Sequence, residues 1–277
     1  MRLNGVASLC KLAYVVLLLI FVPCSVHADS NAPGTAFTQS ELKTDKGTSF
    51  PIFRPTKIDE SSALPLVLFL HGAGERGLNN EHLAVGLPKT LIDRDAQLDA
   101  IVIAPQVRSE LWWSDRAMEE FALAALDKTL ESFAVDRDRI YLTGMSMGGH
   151  GAWFLAAKHP GVFAAVVPVC ARIGRPQGLP PLAGSFLDEH KNALAAAIAE
   201  RIETKPIWIF HGGQDPVVPV SESRKMVEAL NARGASALYT EYPNTAHEAW
   251  VPAYGDQKLF DWILQQRLAK EQIAITP

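Results

Sequence analysis

The chain has 277 residues, enough for one large domain with a sizeable core, and its 48% hydrophobic and 20% charged content excludes a disordered or fibrous protein. A formal net charge of −4 with no basic run argues against a nucleic-acid surface. Of the three cysteines only Cys170 lies beyond the first segment, so no intrachain disulfide is expected in the body of the protein.

Met1–Ala28 reads as a signal peptide. Arg2 and Lys11 flank the start of the apolar run Leu12–Val22, which is shorter than the roughly 20 residues of a membrane span. Val26-His27-Ala28 offers a small-residue cleavage site before Asp29. Cys24 would suggest a lipid anchor, but Pro23 before it suits that processing poorly. The expectation is a secreted or periplasmic protein whose mature domain, residues 29–277, has no stable membrane insertion.

Phe37–Lys43 and Thr48–Phe53 alternate apolar and polar residues around Asp45-Lys46-Gly47, the pattern of an antiparallel hairpin at a sheet edge. Leu64–Leu70 is nearly continuously apolar, as in a parallel strand buried on both faces, and Ala100–Pro105 is a second such strand. Arg116–Phe133 has helical periodicity, with Met118, Phe121, Leu123, Leu126 and Leu130 among its apolar positions. A strand from Arg139 then runs into an Ala-rich helix that stops near His159-Pro160-Gly161. Phe163–Val169 is another strand, Ala171–Ser185 a long Gly- and Pro-rich loop, and His190–Ile202 an Ala-rich helix. Pro206–Phe210 and Leu238–Tyr242 complete the strands. Ser221–Arg233 is a helix capped by Ser221 or Ser223, and Asp256–Gln266 closes the chain as an amphipathic helix. Strands alternating with helices, without repeats or a linker, predict one α/β domain with a mostly parallel, doubly wound sheet and helices on both faces.

Between the strand from Arg139 and its helix lies Gly144-Met145-Ser146-Met147-Gly148. A serine at a sharp strand-to-helix turn is pushed outward with its hydroxyl above the sheet, and small neighbours let the turn close. A serine hydroxyl is a weak nucleophile until a base takes its proton and a carboxylate orients that base. Asp215, in His211-Gly212-Gly213-Gln214-Asp215, follows the Trp208 strand, and His247, in His247-Glu248-Ala249-Trp250, follows the last strand. Loops at the carboxyl ends of parallel strands converge on one crevice, so Ser146, Asp215 and His247 belong to one edge.

Rival assignments exist for each role. His71 and His211 follow strands but precede glycines, where an imidazole braces a loop. His150 is one turn after Ser146 but precedes the acid in the chain, against the usual order of nucleophile, acid and base. His82, His159 and His190 read as loop or helix-end residues. The end of the preceding strand, Val169-Cys170-Ala171-Arg172, offers no carboxylate. Asp188, Glu189 and Asp256 are poorly placed in the order, so Asp215 is the expected acid. Donors for a developing oxyanion would be the amides of Met147, which opens a helix, and Ala73 in Gly72-Ala73-Gly74, with Gly74 as the neighbouring alternative. Glu75-Arg76 reads as an ion pair bracing that loop or as a solvated pair. No His-Glu-x-x-His or paired-cysteine spacing points to a metal.

Leu70-His71-Gly72-Ala73-Gly74-Glu75-Arg76-Gly77, Thr143–Gly149, His211–Asp215 and His247–Trp250 together resemble secreted α/β-hydrolase-fold esterases. The group is that of the phospholipase/carboxylesterases and dienelactone-hydrolase-like enzymes, in the branch often called predicted peptidases. The resemblance covers nearly the whole mature chain and implies ester hydrolysis through an acyl-enzyme, without metal or organic cofactor. The partner it implies is a small-molecule or polysaccharide-linked ester; the oligomeric state is open. It also implies a cleft lined by Trp112 and Trp113, either of which instead packs its loop to the core on a purely structural reading. His150 stands where this branch is commonly aromatic and is a third candidate for contact with substrate. Ala171–Ser185 is longer and richer in proline than the matching loop, which suits an acyl pocket or lid. Two other functions remain to be weighed: a serine peptidase of prolyl-oligopeptidase type, and a non-catalytic binding protein on the same scaffold.

Overall fold

The computed structural model describes residues 36–268 apart from 58–61, 94–96, 177–178, 180–184, 191–192, 203 and 236. The Met1–Ala28 segment, and with it the expected signal peptide, lies outside the described residues. β1 (Phe37–Lys43) and β2 (Ser49–Pro55) form the antiparallel edge hairpin, closed by a turn in which the Gly47 amide donates to the Thr44 carbonyl and Gly47 takes φ 81°. β2 pairs antiparallel with β4 (Ile101–Ile103). From β4 onward every pairing is parallel: β3 (Leu64–Leu70), β5 (Val135–Met145), β6 (Ala165–Val169), β7 (Trp208–Gly212) and β8 (Leu238–Tyr242). The eight strands lie in the order β1-β2-β4-β3-β5-β6-β7-β8.

Side chains alternate across a strand, so a strand at the sheet centre must be apolar on both faces. β3 shows this directly: Leu66, Leu68 and Leu70 enter one buried cluster, and Val67 and Phe69 the other. The first cluster is completed by α2 (Arg116–Ser132), α3 (Met147–Lys158), α5 (Leu194–Ile202) and α6 (Ser221–Asn231), through residues such as Met118, Phe154, Ile198 and Met226. The second is completed by α1 (Gly86–Asp93), α7 (Trp250–Gly255) and α8 (Gln257–Ile263), through Leu87, Tyr254 and Phe260. After β3 the chain steps outward to β4 and then returns across β3 to β5. That reversal separates the loops after β3 and β5, and a crevice opens where they part.

Several boundaries differ from the sequence expectation. The strand expected from Arg139 begins at Val135, where Leu64 pairs with it across a register shift. The helix expected from His190 begins at Leu194; His190 instead ends a short α4 (Phe186–Glu189) whose first turn is capped by the Ser185 hydroxyl. α6 has no side-chain cap, because Val220 before it is already in the right-handed helical region. Ser223 is buried and its hydroxyl serves a histidine. The closing helix is shorter than expected and uses Asp256 as its cap. Among the described residues no helix is long and apolar enough to cross a membrane.

Candidate active site

Ser146 is the single residue between β5 and α3, at φ 54° and ψ −115°, with its amide donating to the Val169 carbonyl at 2.9 Å. Such a conformation in a non-glycine residue costs on the order of 1–3 kcal/mol and is held only by dense surroundings. The density is measurable at the flanking glycines. A Cβ on Gly148 would stand 1.9 Å from the Leu70 carbonyl oxygen, and one on Gly144 would stand 2.4 Å from the Gly148 oxygen. The helix therefore starts in backbone contact with the end of β3.

Loops after β7 and β8 bring Asp215 and His247 to this turn. His247 Nε2 lies 2.9 Å from Ser146 Oγ, and His247 Nδ1 lies 2.6 Å from Asp215 Oδ2. The other carboxylate oxygen accepts from the amides of Val217 and Val218, each at 2.8 Å. Burial pushes the Asp215 carboxyl up, but hydrogen bonds from His211 and His247 and from the two amides outweigh it and hold the group well below the usual range. The three side chains singled out from chain order thus form one hydrogen-bonded series. Its tautomer is implied by the carboxylate, which can only accept: Nδ1 carries the proton and Nε2 faces the serine.

Gly72 ends the approach of β3 to the serine; a Cβ there would lie 3.6 Å from Ser146 Cβ. The 3₁₀ turn Ala73–Glu75 follows, so the expected donor Ala73 lies on the loop beside Ser146, and Met147 is the first residue of α3. Glu75 does not pair with Arg76, whose Nε donates instead to the Ala73 carbonyl at 2.9 Å. The Glu75 carboxylate folds back over Gly72. Burial pushes it up; the amides of Glu75 and Gly72, and His247 nearby, act in the opposite direction.

The aromatic expectation divides. Trp112 is partly exposed, with its ring 6.0 Å from the His150 ring. Trp113 and His150 are both 0% exposed, so neither offers a surface to a ligand, and the substrate contact expected of them is corrected to a supporting role. Trp113 donates its Nε1 hydrogen to the His71 carbonyl at 3.0 Å. His150 bridges the Ile173 carbonyl and the Ser114 hydroxyl, both at 3.1 Å, and burial lowers its pKa to about 4. The same two loops are tied a second time by Arg175 and Asp115, 2.8 Å apart, while Asp115 also accepts the Trp112 amide. The described part of the Ala171–Ser185 loop is thus anchored on the tryptophan loop.

Cys170 follows β6 at φ 41° and is fully buried, and burial pushes its thiol well up. Its sulfur, a carboxylate oxygen of Asp215 and a ring nitrogen of His247 lie within 4.8 Å of one another, a donor set of the kind soft divalent cations take. In this structure the carboxylate and the imidazole are engaged with each other. The contact that sequence reasoning missed is His211, 3.3 Å from Asp215 through Nε2. Its spacing four residues before the acid, on a turn, was the available signal.

The fold agrees with the comparisons. Residues 87–253 match the model of the dienelactone hydrolase family. Esterase YjfP of Escherichia coli is 25% identical over 231 residues, covering 72% of this chain and 88% of the bacterial protein. A protein of Arthroderma benhamiae named as an uncharacterized secreted protein is 24% identical over 211 residues, 68% of this chain but only 22% of its own length. Among solved structures, a thermostable esterase superposes with a TM-score of 0.63 at 30% identity, covering 84% of this chain and 63% of that one. The family match spans more than half of the sequence and contains every element of the site except the loop after β3: this chain belongs to the dienelactone hydrolase family, with its α/β-hydrolase fold.

Proposed function

We propose that the protein is an exported serine carboxylesterase, with small-molecule or carbohydrate-linked acyl esters as its substrate class. The observation that carries the reading is the unbroken series Ser146 Oγ, His247 Nε2, His247 Nδ1, Asp215 Oδ2, with 2.9 and 2.6 Å at its two hydrogen bonds. In the proposed reaction Oγ attacks the ester carbonyl carbon while its proton passes to His247 Nε2. The oxyanion is met by the amides of Met147 and Ala73, each such donor being worth about 2.7–4 kcal/mol in the transition state. Collapse breaks the bond to the alcohol oxygen, which leaves with the proton from Nε2, and the acyl group stays on Ser146. Water then repeats the sequence, its proton going to Nε2 and finally to the released Ser146 oxygen. Asp215 keeps His247 in the tautomer this needs and stabilises its transient cation. The chemistry calls for no cofactor.

Purified protein is expected to hydrolyse p-nitrophenyl acetate and butyrate and to be labelled by a fluorophosphonate at Ser146. Ser146→Ala should lower kcat/KM on the order of 10⁴-fold or more. An active Ser146→Ala variant overturns the nucleophile. A panel of feruloylated and acetylated sugars, aliphatic esters and peptides ranks the substrates, and preference for peptides would replace the esterase reading with a peptidase. Export is supported by the Met1–Ala28 pattern, and it predicts an extracytoplasmic product whose first residue is Asp29.

A further inference from the structure

Val218 has only a carbonyl to offer His211 Nε2, at 2.9 Å, so this nitrogen carries the hydrogen. The opposite nitrogen, Nδ1, lies 2.7 Å from the Ser223 hydroxyl, which donates to it. The same Nε2–H stands 3.3 Å from Asp215 Oδ2, the oxygen that also receives His247, and both side chains are sealed from solvent. Asp215 therefore accepts three hydrogen bonds, two from backbone amides on Oδ1 and one from His247 on Oδ2, and the polar Nε2–H edge of His211 lies in close contact with that second oxygen.

We propose that His211 and Ser223 are positioning residues of the catalytic series: Ser223 sets the tautomer of His211, and His211 orients and electronically trims the oxygen with which Asp215 holds His247. The inference rests on the serine-hydrolase reading and extends it. Without the His211 hydrogen, Oδ2 would carry more negative charge toward His247. The imidazolium would be better stabilised, and its proton harder to pass on, while the carboxylate would lose the polar ring edge packed against it. The other groups facing this pair are Cys170 and Glu75 beside Asp215 and His247, Glu248 next to His247 in the chain, and Glu241 facing His211. The variants leave all four in place.

The test compares full pH profiles of p-nitrophenyl acetate hydrolysis for wild type, His211→Phe and Ser223→Ala, each normalised to the fraction of sites titrated by a fluorophosphonate. His211→Phe should lower kcat about tenfold, comparable to losing one polar contact with a charged group, with KM unchanged. It should also move the acid limb of kcat/KM upward by on the order of half a pH unit. Ser223→Ala, a single-atom deletion that keeps the ring, should move the limb the same way by less. A downfield proton resonance from the His247–Asp215 bond should shift in both variants. Lower kcat with an unmoved acid limb and resonance would make His211 a packing residue and overturn the proposal. If His211→Phe does not fold, Ser223→Ala decides alone, an unmoved limb being the refuting result. Failure of Ser146 itself to label would instead sink the serine-hydrolase reading, so the two failures are distinguishable.

Discussion

Asp215 shows how much a single residue is asked to satisfy. Its oxygens accept two amides on one side and His247 on the other, with His211 Nε2 beside the second, so an asparagine could not replace it without turning an NH₂ group toward hydrogens. If the amide faced His247, the imidazole would have to place its own proton on Nε2, where it could no longer accept from Ser146. Asp215→Asn is expected to lower kcat by about 10³–10⁴-fold with little change in KM, checked by steady-state kinetics on a variant whose circular dichroism matches wild type. Activity within tenfold of wild type would remove Asp215 from the proposed mechanism. The turn that holds Ser146 was legible from sequence because Gly-x-Ser-x-Gly between a strand and a helix is a local pattern of five residues. The contacts of Glu75 and His211 were not, although each acts within four residues of its own position, since which way a loop side chain turns is set by the packing around the loop.

At the scale of elements, the junction of β3, β5 and α3 is the tightest place in the site. Gly148→Ala would drive a methyl into the Leu70 carbonyl, and backbone on both sides leaves it nowhere to go. A loss of about 3 kcal/mol or more is expected in urea unfolding, beyond ordinary overpacking of side chains. Gly74→Ala meets nothing within 4 Å and should change stability by no more than about 0.5 kcal/mol. Equal effects for the two would contradict the close approach. The Arg175–Asp115 and His150 ties make a different prediction for the loop after β6. Arg175→Ala should raise KM for bulky acyl esters severalfold more than for acetate, while kcat for acetate stays near wild type. The shifted start of α5 and the uncapped start of α6 were hidden from sequence for related reasons: Ser185 caps the start of a short helix that ends at His190, and Ser223 is drawn to His211.

Over the whole molecule, a sheet covered on both faces buries histidines that have no charged partner. Burial is the first cause in each case, lowering His71 to about 3 and His150 to about 4, and lowering His82 as well. All three fall below the roughly 6.5 of an unfolded chain, so the unfolded state takes protons first. Their contribution to stability is intact above about pH 6.5. It declines as pH falls toward about 4 for His150 and about 3 for His71, by about 1.4 kcal/mol per pH unit for each imidazole. Asp215, also depressed, adds its own loss only below about pH 4. Urea midpoints measured from pH 7 to 4.5 should fall steadily, and less steeply in His150→Gln; a flat profile would contradict the burial of these rings.

The amino-acid sequence by itself determined the strand–helix alternation, the two-sided burial of Leu64–Leu70 and the order in which serine, acid and histidine leave the strand ends. These are properties of spacing along one dimension, and hydrophobic periodicity and turn chemistry encode them locally. Only the tertiary structure decided that Trp113 and His150 lie behind the crevice, that Glu75 folds toward it, and that Asp215 meets two histidines. Ser146 and His247 are 101 residues apart, and Trp113 and His71 are 42 apart. Which polar atoms meet across such distances is set by how the layers pack, because each buried donor must find an acceptor in whatever neighbour packing supplies.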